Sequence, residues 1–422
     1  MKEIILVTFG FPPQTGIGVR RWAKFSKYLE KSGYIINVVT INFEHEESND
    51  NWLKDIQSNN IILHKLKSPY PTWLLKNSNR TFIEKAFGKI FRTFFQTFFY
   101  PICYSEGWQK ELIPYVRNLI NKKNIKNVIV NTPPHLLAYY MSILKSENPK
   151  VNLIVDQRDP WNTMERHKYG TYVKNFKTKE KMLYMEQFIL SHANKVVVVS
   201  KEMKDDLVHV YSEYENKINV ISNGYDVEDY RKNNGENILS KGINIVYAGS
   251  FGAENRNLAI KLILKAIVEL NDEFIVNNLT INIYSTANDS FFIQKDIPLE
   301  IYKKIVVLYK TMPQAELFDE INKNTYCLSI NGPYDSKAMG TKIYDYVQLN
   351  KKVIHISNGG ELYDMLNNDS NFVSDYQIEN VKGMLLKIKD DYLNKSFLDV
   401  NHSSFDRFNI KFLAKEYEKL FI

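Results

Sequence analysis

Short apolar runs alternate with helical segments along this chain. The opening has an apolar run from Lys2 to Phe9, a glycine-bearing loop from Gly10 to Gly18, a helical stretch from Val19 to Ser32 and a second apolar run from Tyr34 to Asn42. Runs of β-branched residues bounded by turn signals predict strands. Strand, helix and strand in this order predict a parallel βαβ unit.

The same alternation recurs in both halves of the chain. In the first half, further strands are predicted at Ile125 to Asn131, Val151 to Asp156 and Lys195 to Ser200. In the second half, strands are predicted at Ile243 to Ala248, Leu279 to Ser285, Ile305 to Leu308, Tyr326 to Ile330 and Lys352 to Ile356. The pattern therefore predicts an α/β protein with two doubly wound sheets. Such folds bind ligands at the carboxyl ends of their strands.

The polar stretch from Asp226 to Gly242 is typical of a linker between the two series. We therefore predict one Rossmann-like domain over residues 1–235 and a second over 236–405. Residues 406–422 include an amphipathic helix, Ile410 to Phe421, that is expected to pack back on the first domain. A length of 422 residues agrees with two domains, because a single hydrophobic core stops growing below that size.

Composition excludes several classes of protein. Apolar residues make up 44% and charged residues 24%, as in ordinary globular chains. No apolar stretch approaches the roughly 18 residues of a spanning helix, and Ile4 to Val7 is too short for a secretory signal. With only Cys103 and Cys327, no disulfide framework is expected. These features predict a cytoplasmic protein.

Charge alone leaves the partner open. The net charge of +7 suits nucleic acid, anionic lipid or a phosphorylated ligand equally. The eight histidines lack zinc-like spacing and no Asp-x-Asp pair occurs, so no metal site is expected. The sequence leaves the oligomeric state open.

Two loops at predicted strand ends carry candidate chemistry. The loop after the first strand contains Gly10, Gly16 and Gly18, which let backbone N–H groups approach a ligand or serve the turn geometry alone. It lacks the spacing of a nucleoside triphosphatase loop. The segment Asp156 to Trp161 ends a later strand, where Arg158 would meet a phosphate and Asp159 a sugar hydroxyl, or the two would pair to hold the loop.

Five short blocks occur in the order seen in family 4 glycosyltransferases. They are Pro12 to Gly18, Asp156 to Trp161, Val196 to Ser200, Ile221 to Asp226 and Ile245 to Phe251. The chain resembles the bacterial surface-polysaccharide branch of that family over nearly its whole length, except about residues 45–120. The resemblance implies the GT-B fold, in which two Rossmann-like domains face each other across a cleft. It also implies transfer with retention of anomeric configuration and no essential metal, with residues 1–235 on the acceptor side.

The family's nucleotide-sugar donor site belongs mainly to the second domain. The segment Ser336 to Tyr346 resembles the family's Glu-x7-Glu element, and its second acidic position falls on Asp345, which implies a carboxylate for the ribose hydroxyls. Gly340 and Thr341 are implied to lie at a helix start that favours the diphosphate, with Lys342 adding a positive charge.

The chain departs from the family pattern at two places. The first acidic position of the Glu-x7-Glu element is Lys337, which changes how the donor sugar is held. Where the family has a Gly-Arg pair, Ser250 follows Gly249, and Arg256 is the nearest basic residue. We therefore assign Ser250 and Arg256 to the donor site.

The reaction centre is assigned to the first domain. In many relatives a His follows the middle strand of this domain under the reacting sugar, and the matching position here is Arg158, followed by Asp159. His135, after the preceding strand, either joins this centre or is structural.

An insertion at about residues 76–101 has its own signal. From Phe82 to Tyr100, aromatic and aliphatic residues recur at helical spacing opposite a stripe that includes Lys85, Lys89 and Arg92. Such a basic, aromatic helix suits a membrane surface, or it packs in a core or dimer interface. No recognition motif for nucleic acid accompanies it.

The sequence thus predicts a membrane-peripheral glycosyltransferase that extends a lipid-linked saccharide. Two alternatives stay open. A sugar-nucleotide epimerase shares the fold, and a catalytically degenerate homologue would bind nucleotide without turnover.

Overall fold

The computed structural model describes residues 2–14, 17–42, 52–69, 86–88, 105–162, 176–230, 241–251, 255–334, 339–367 and 370–422. They form two compact units. Unit 1 contains the described residues up to Ser222 together with Ile410–Ile422, and unit 2 contains those within Asn223–Asn409.

The sheet of unit 1 is parallel throughout. Its strands are β1 (Lys2–Val7), β2 (Tyr34–Ile41), β3 (Ile61–Leu66), β4 (Asn127–Thr132), β5 (Asn152–Gln157), β6 (Lys195–Val198) and β7 (Ile218–Val220). They lie in the order β3-β2-β1-β4-β5-β6-β7. The order reverses between β1 and β4, and in open α/β sheets a ligand binds at such a switch point.

Helices cover both faces of this sheet. They are α1 (Ile17–Lys31), α2 (Gln109–Lys123), α3 (Leu136–Glu147), α4 (Phe176–His192), α5 (Lys201–Val210) and the C-terminal α13 (Ile410–Glu418). Alternate residues of each strand enter opposite cores: Ile5 and Val7 face the core that contains α2 and α3, whereas Ile4 and Leu6 face the core that contains α1 and α13. A strand buried on both faces can carry apolar residues at successive positions, which explains continuous runs such as Ile4 to Val7.

Unit 2 repeats this architecture with a second parallel sheet. Its strands are β8 (Ile243–Ala248), β9 (Leu279–Tyr284), β10 (Val306–Tyr309), β11 (Tyr326–Ile330), β12 (Lys352–Ile356) and β13 (Phe372–Ser374). They lie in the order β10-β9-β8-β11-β12-β13, with the switch point between β8 and β11. The predicted α/β class with two doubly wound parallel sheets is confirmed.

The helices of unit 2 flank this sheet in the same way. They are α6 (Asn257–Leu270), α7 (Glu273–Asn278), α8 (Leu299–Ile305), α9 (Gln314–Asn322), α10 (Lys342–Gln348), α11 (Glu361–Asn367) and α12 (Ile378–Leu393). The α6 and α12 side buries Ile245 and Ile281, and the α10 and α11 side buries Val246 and Val353. In each unit, the switch point therefore lies in a sheet that is covered by helices on both faces.

Candidate functional site at the strand ends

Arg158 lies on the backbone of the glycine loop at the switch point of unit 1. Its backbone N–H, directly after β5, donates to the carbonyl of Thr132 at the end of β4 (3.2 Å). Its Nη1 donates to the carbonyl of Gly18 (2.5 Å). A Cβ added at Gly18 would stand 2.9 Å from Nη1, so any side chain at residue 18 would displace the guanidinium of Arg158 from this position. The structure therefore brings the predicted residues Gly18 and Arg158 together.

Asp159 and His135 lie beside this guanidinium. A carboxylate oxygen of Asp159 is 3.8 Å from Nη2 of Arg158 and its side chain is 55% exposed, so the ion pair is loose and screened by solvent. Desolvation lowers the pKa of His135 to about 3, with the positive charge of Arg158 adding to the effect. His135 is therefore a neutral imidazole at physiological pH.

Trp161 stacks on His135. The two rings are nearly parallel, with an interplanar angle of 9° and centroids 5.0 Å apart. Both side chains are half-buried. The pair adds an aromatic surface next to the charged groups of this strand end.

Asp156, the first residue of the same block, is fully buried and serves the fold. The guanidinium of Arg21 in α1 donates to both of its carboxylate oxygens (3.0 Å each). The indole of Trp22 (2.6 Å) and the hydroxyl of Tyr417 in α13 (2.6 Å) also donate to it. These bonds fix the end of β5 and hence the backbone from which Arg158 and Asp159 project.

Glu186 of α4 is a second buried carboxyl group behind this loop. It is 2% exposed and accepts a hydrogen bond from the hydroxyl of Tyr211 (3.2 Å). Burial raises its pKa to about 7, although the neighbouring amides of Asn162 and Gln157 favour the ionised form. It lies within a helix away from any motif, so no sequence signal marked it.

At the switch point of unit 2, Lys342 lies directly over Gly249. The ammonium group of Lys342 occupies the space where a Cβ of residue 249 would stand. The same Nζ is 4.9 Å from the centroid of the Tyr247 ring, within the range of a cation–π contact. The Tyr247 hydroxyl donates to the carbonyl of Ser250 (2.9 Å) and so fixes the loop after β8. Lys342 and Ser250, both predicted, are therefore joined through Tyr247, which the sequence analysis missed.

Asp345 faces the same strand ends from α10. It is half-buried, and Nε2 of Gln314, the first residue of α9, is 3.5 Å from its Oδ1. Thr341 immediately precedes α10, as predicted, and Gly340 is exposed. A Cβ at Gly340 would meet no atom within 4 Å, so packing among the described residues does not require glycine there.

Arg256 precedes the first residue of α6 at the neighbouring strand end. Burial raises the pKa of Tyr376, and the positive charge of Arg256 lowers it in part. The Tyr376 hydroxyl donates to the carbonyl of Asn331, just beyond β11 (2.7 Å). Basic groups from α6 and α10 thus flank the switch point of unit 2, as a site for a negatively charged ligand requires.

The amino-acid sequence of residues 18–229, just over half of the chain, matches the profile of the family described as Glycosyltransferase Family 4. The chain belongs to glycosyltransferase family 4. Its matched region begins at the end of the glycine loop and contains β2 to β7, and so includes Arg158, Asp159 and His135. No curated protein matches the chain in sequence.

Solved structures share the fold of this family 4 chain. A glycosyltransferase from Rickettsia africae has a TM-score of 0.64 at 13% identity, covering 99% of this chain and 97% of its own. The Anabaena protein HepE, in complex with UDP-glucose, has a TM-score of 0.60 at 10% identity, covering 99% of both chains. The UDP-GlcNAc 2-epimerase of Methanocaldococcus jannaschii has a TM-score of 0.52 at 14% identity, covering 100% and 99%.

Several predicted positions of the family 4 chain lie outside the described residues. These are Gly16, Lys337 and the helix from Phe82 to Tyr100 apart from residues 86–88, which are helical. In the part of the chain that the structure describes, no helix is long and apolar enough to cross a membrane.

Proposed function

We propose that this protein is a retaining, metal-independent glycosyltransferase that moves a sugar from a nucleotide-sugar donor to a lipid-linked saccharide acceptor. Surface-polysaccharide biosynthesis is the pathway that the sequence resemblance favours. Membership of family 4 supports the reaction class. The observation that carries the proposal is the contact of the Lys342 ammonium group with the backbone of Gly249. Asp345 lies one turn further along α10.

This arrangement suits a nucleoside diphosphate. A cation held against a backbone without a side chain leaves room for phosphate oxygens, and a half-buried carboxylate one turn away accepts hydrogen bonds from ribose hydroxyls. As the bond to the donor sugar breaks, negative charge grows on the diphosphate. Lys342 would stabilise that charge without a metal ion, since a fixed cation in a partly desolvated site costs no reorganisation during the reaction.

In unit 1, Arg158 and Asp159 are assigned to the acceptor side of the reaction. The exposed carboxylate of Asp159 can accept hydrogen bonds from hydroxyl groups, whereas His135 does not carry the second ring proton that a general acid would donate at pH 7. His135 would therefore serve by position and not as a general acid.

The test incubates the purified chain with a panel of nucleotide sugars and a lipid-linked saccharide, with and without EDTA, and analyses products by mass spectrometry. We expect a new glycosidic bond that forms equally in the chelator. Lys342→Ala and Asp345→Ala should each weaken nucleotide binding by about 1.5–3 kcal/mol, because a charged hydrogen bond is lost. Lys303→Ala on the exposed end of α8 is the matched control. Unchanged nucleotide affinity in both folded variants would refute the donor site.

A second candidate follows from the fold of the Methanocaldococcus epimerase. Its TM-score of 0.52 is below the 0.64 of the Rickettsia glycosyltransferase, so the transferase is favoured. In the same assay an epimerase isomerises the donor without acceptor, and a degenerate homologue binds nucleotide without any product.

A further inference from the structure

Trp161, which stacks on His135 at the carboxyl ends of β4 and β5, has no role in the chemistry described above. Trp22, Trp52 and Trp108 are buried (1%, 7% and 0% exposed), so Trp161 is the one described tryptophan that keeps accessible surface. Its ring lies parallel to that of His135 at 5.0 Å.

The backbone on both sides of Trp161 is anchored. Before it, Arg158 is hydrogen-bonded to Thr132 and Gly18. After it, the side-chain amide of Asn162 donates to the carbonyl of Met182 in α4 (3.0 Å). A ring fixed in this way loses little conformational freedom when a ligand stacks on it, so the platform is preorganised.

Polar groups for an uncharged, hydroxylated ligand lie within the same segment. The Asp159 carboxylate lies two residues before Trp161 and is 55% exposed. Its two oxygens can accept hydrogen bonds from two hydroxyl groups. Arg158 is only 19% exposed and is already bonded to Gly18. A phosphate would meet the exposed carboxylate before the covered guanidinium, which disfavours an anionic ligand.

We propose that Trp161, backed by His135, is the stacking platform for a neutral pyranose ring of the acceptor, with Asp159 binding its hydroxyls. The apolar C–H face of a pyranose packs on an aromatic ring while its equatorial hydroxyls reach a carboxylate at the side. This inference rests on the proposed function and narrows it: unit 1 recognises the terminal sugar of the acceptor and not the lipid or its phosphate.

The test follows the indole N–H signals of the full-length protein by NMR, without any donor present. The Trp161 signal is assigned by its loss in Trp161→Phe, and the probes are methyl glycosides of glucose, galactose, mannose and N-acetylglucosamine. At least one glycoside should shift the Trp161 signal saturably and leave the signals of buried Trp22 and Trp108 in place. Glucose 1-phosphate, which carries an anion, should bind more weakly than methyl glucoside.

Variants measure the two contacts separately, with affinities taken from backbone amide shifts. Trp161→Ala should lower the affinity for the best glycoside about 10-fold, because the stacking surface is lost. Asp159→Asn should lower it about 10-fold through the lost charged acceptor. Phe412→Ala, which removes an exposed aromatic from α13 in the same unit, should change nothing.

The proposal is overturned if no glycoside of the panel binds, if binding leaves the Trp161 signal in place, or if Trp161→Ala binds as well as Phe412→Ala. Retained Trp22 and Trp108 signals confirm that each variant is folded. Because the titration contains no nucleotide sugar, failure of the transfer assay and failure of this platform are separate results.

Discussion

Glu186 is a buried residue whose protonation state changes near neutral pH. Its carboxyl is buried in α4 against Tyr211, and its pKa is raised to about 7. A raised pKa means that the folded protein holds this proton more tightly than the unfolded chain. The neutral group therefore stabilises the fold at low pH, and this contribution is lost as pH rises towards and through about 7.

Glu186→Gln removes this titration while keeping the shape of the side chain. We expect the difference in unfolding free energy between wild type and variant to be constant below about pH 4.5. As pH rises to about 7, the variant should become more stable relative to wild type. The gain should be on the order of 3 kcal/mol, from the size of the pKa shift. Urea unfolding between pH 4 and 8 measures it. Glu213→Gln, an exposed control beside Tyr211, should show no such trend; a flat difference for Glu186→Gln would contradict the buried titration.

Some residues of the site can be predicted from sequence motifs and others cannot. Gly18 and Lys342 stand in motifs at strand ends, and both lie there in the structure. The contact between Lys342 and Gly249 joins residues 93 positions apart in sequence, because β8 and β11 are neighbours in the sheet. Pattern alone predicts the strand end but not which side chains meet, so Tyr247 and Glu186 were missed.

At the scale of elements, α13, α1 and β5 meet at Asp156. Tyr417 donates to this carboxylate and accepts from Arg21, while Nη1 and Nη2 of Arg21 donate to the carbonyls of Ser222 and Ile221. The pKa of Arg21 is raised by its paired carboxylate despite full burial. Every member of the network therefore has a partner, which is the condition under which buried charges are tolerated.

Asp156→Asn leaves the guanidinium of Arg21 buried without a counter-charge. We expect it to destabilise unit 1 by about 3–5 kcal/mol. Tyr417→Phe keeps the ring against Trp22 and removes the hydrogen bonds of its hydroxyl to Asp156 and Arg21, at a cost of about 1.5–3 kcal/mol. Hydrogen exchange of α1 and α13 amides measures the loss locally. Glu418→Ala, which removes an exposed contact to Ser32, is the control, and equal exchange in all three variants would rule out the network.

The strands followed the sequence closely where they are long and buried on both faces. Predicted and observed limits agree for β8, β11 and β12, and differ by one to two residues for β1, β4 and β5. The strands β3, β7 and β13 were missed. Ile218–Val220 and Phe372–Ser374 are edge strands of only three residues. In Ile61–Leu66 only Ile61 is buried, and His64 and Lys65 interrupt the apolar run. All three missed strands lie at the edge of a sheet, a position that only the assembled sheet defines.

At the scale of the whole molecule, attachment to a membrane remains a prediction from the basic aromatic helix. Within it Phe87 is described and 63% exposed. Replacing Lys85, Lys89 and Arg92 by Glu should release the protein from anionic vesicles, since each basic group near such a surface contributes about 1 kcal/mol. Added salt should weaken wild-type binding. Sedimentation with vesicles measures both effects.

The control for that experiment reverses three exposed lysines of unit 2, Lys295, Lys303 and Lys304, so that net charge changes equally. It should still sediment. Transfer to a soluble acceptor should persist in both variants. If the helix variant sediments as wild type does, the helix packs within the protein or against another copy.

The last segment of unit 1 is synthesised after unit 2. Tyr417 and the rest of α13 follow about 190 residues of unit 2, so at roughly 5–20 residues per second the ribosome needs on the order of 10–40 s to reach them after finishing Ser222. During that interval the hydroxyl of Tyr417 is not yet present to bind Asp156 and Arg21, and α13 is not yet present to cover the apolar face of α1. Unit 2 has every strand it needs before then. The order of completion along the nascent chain is thus reversed: the second unit finishes first, and the first closes only when its final helix emerges.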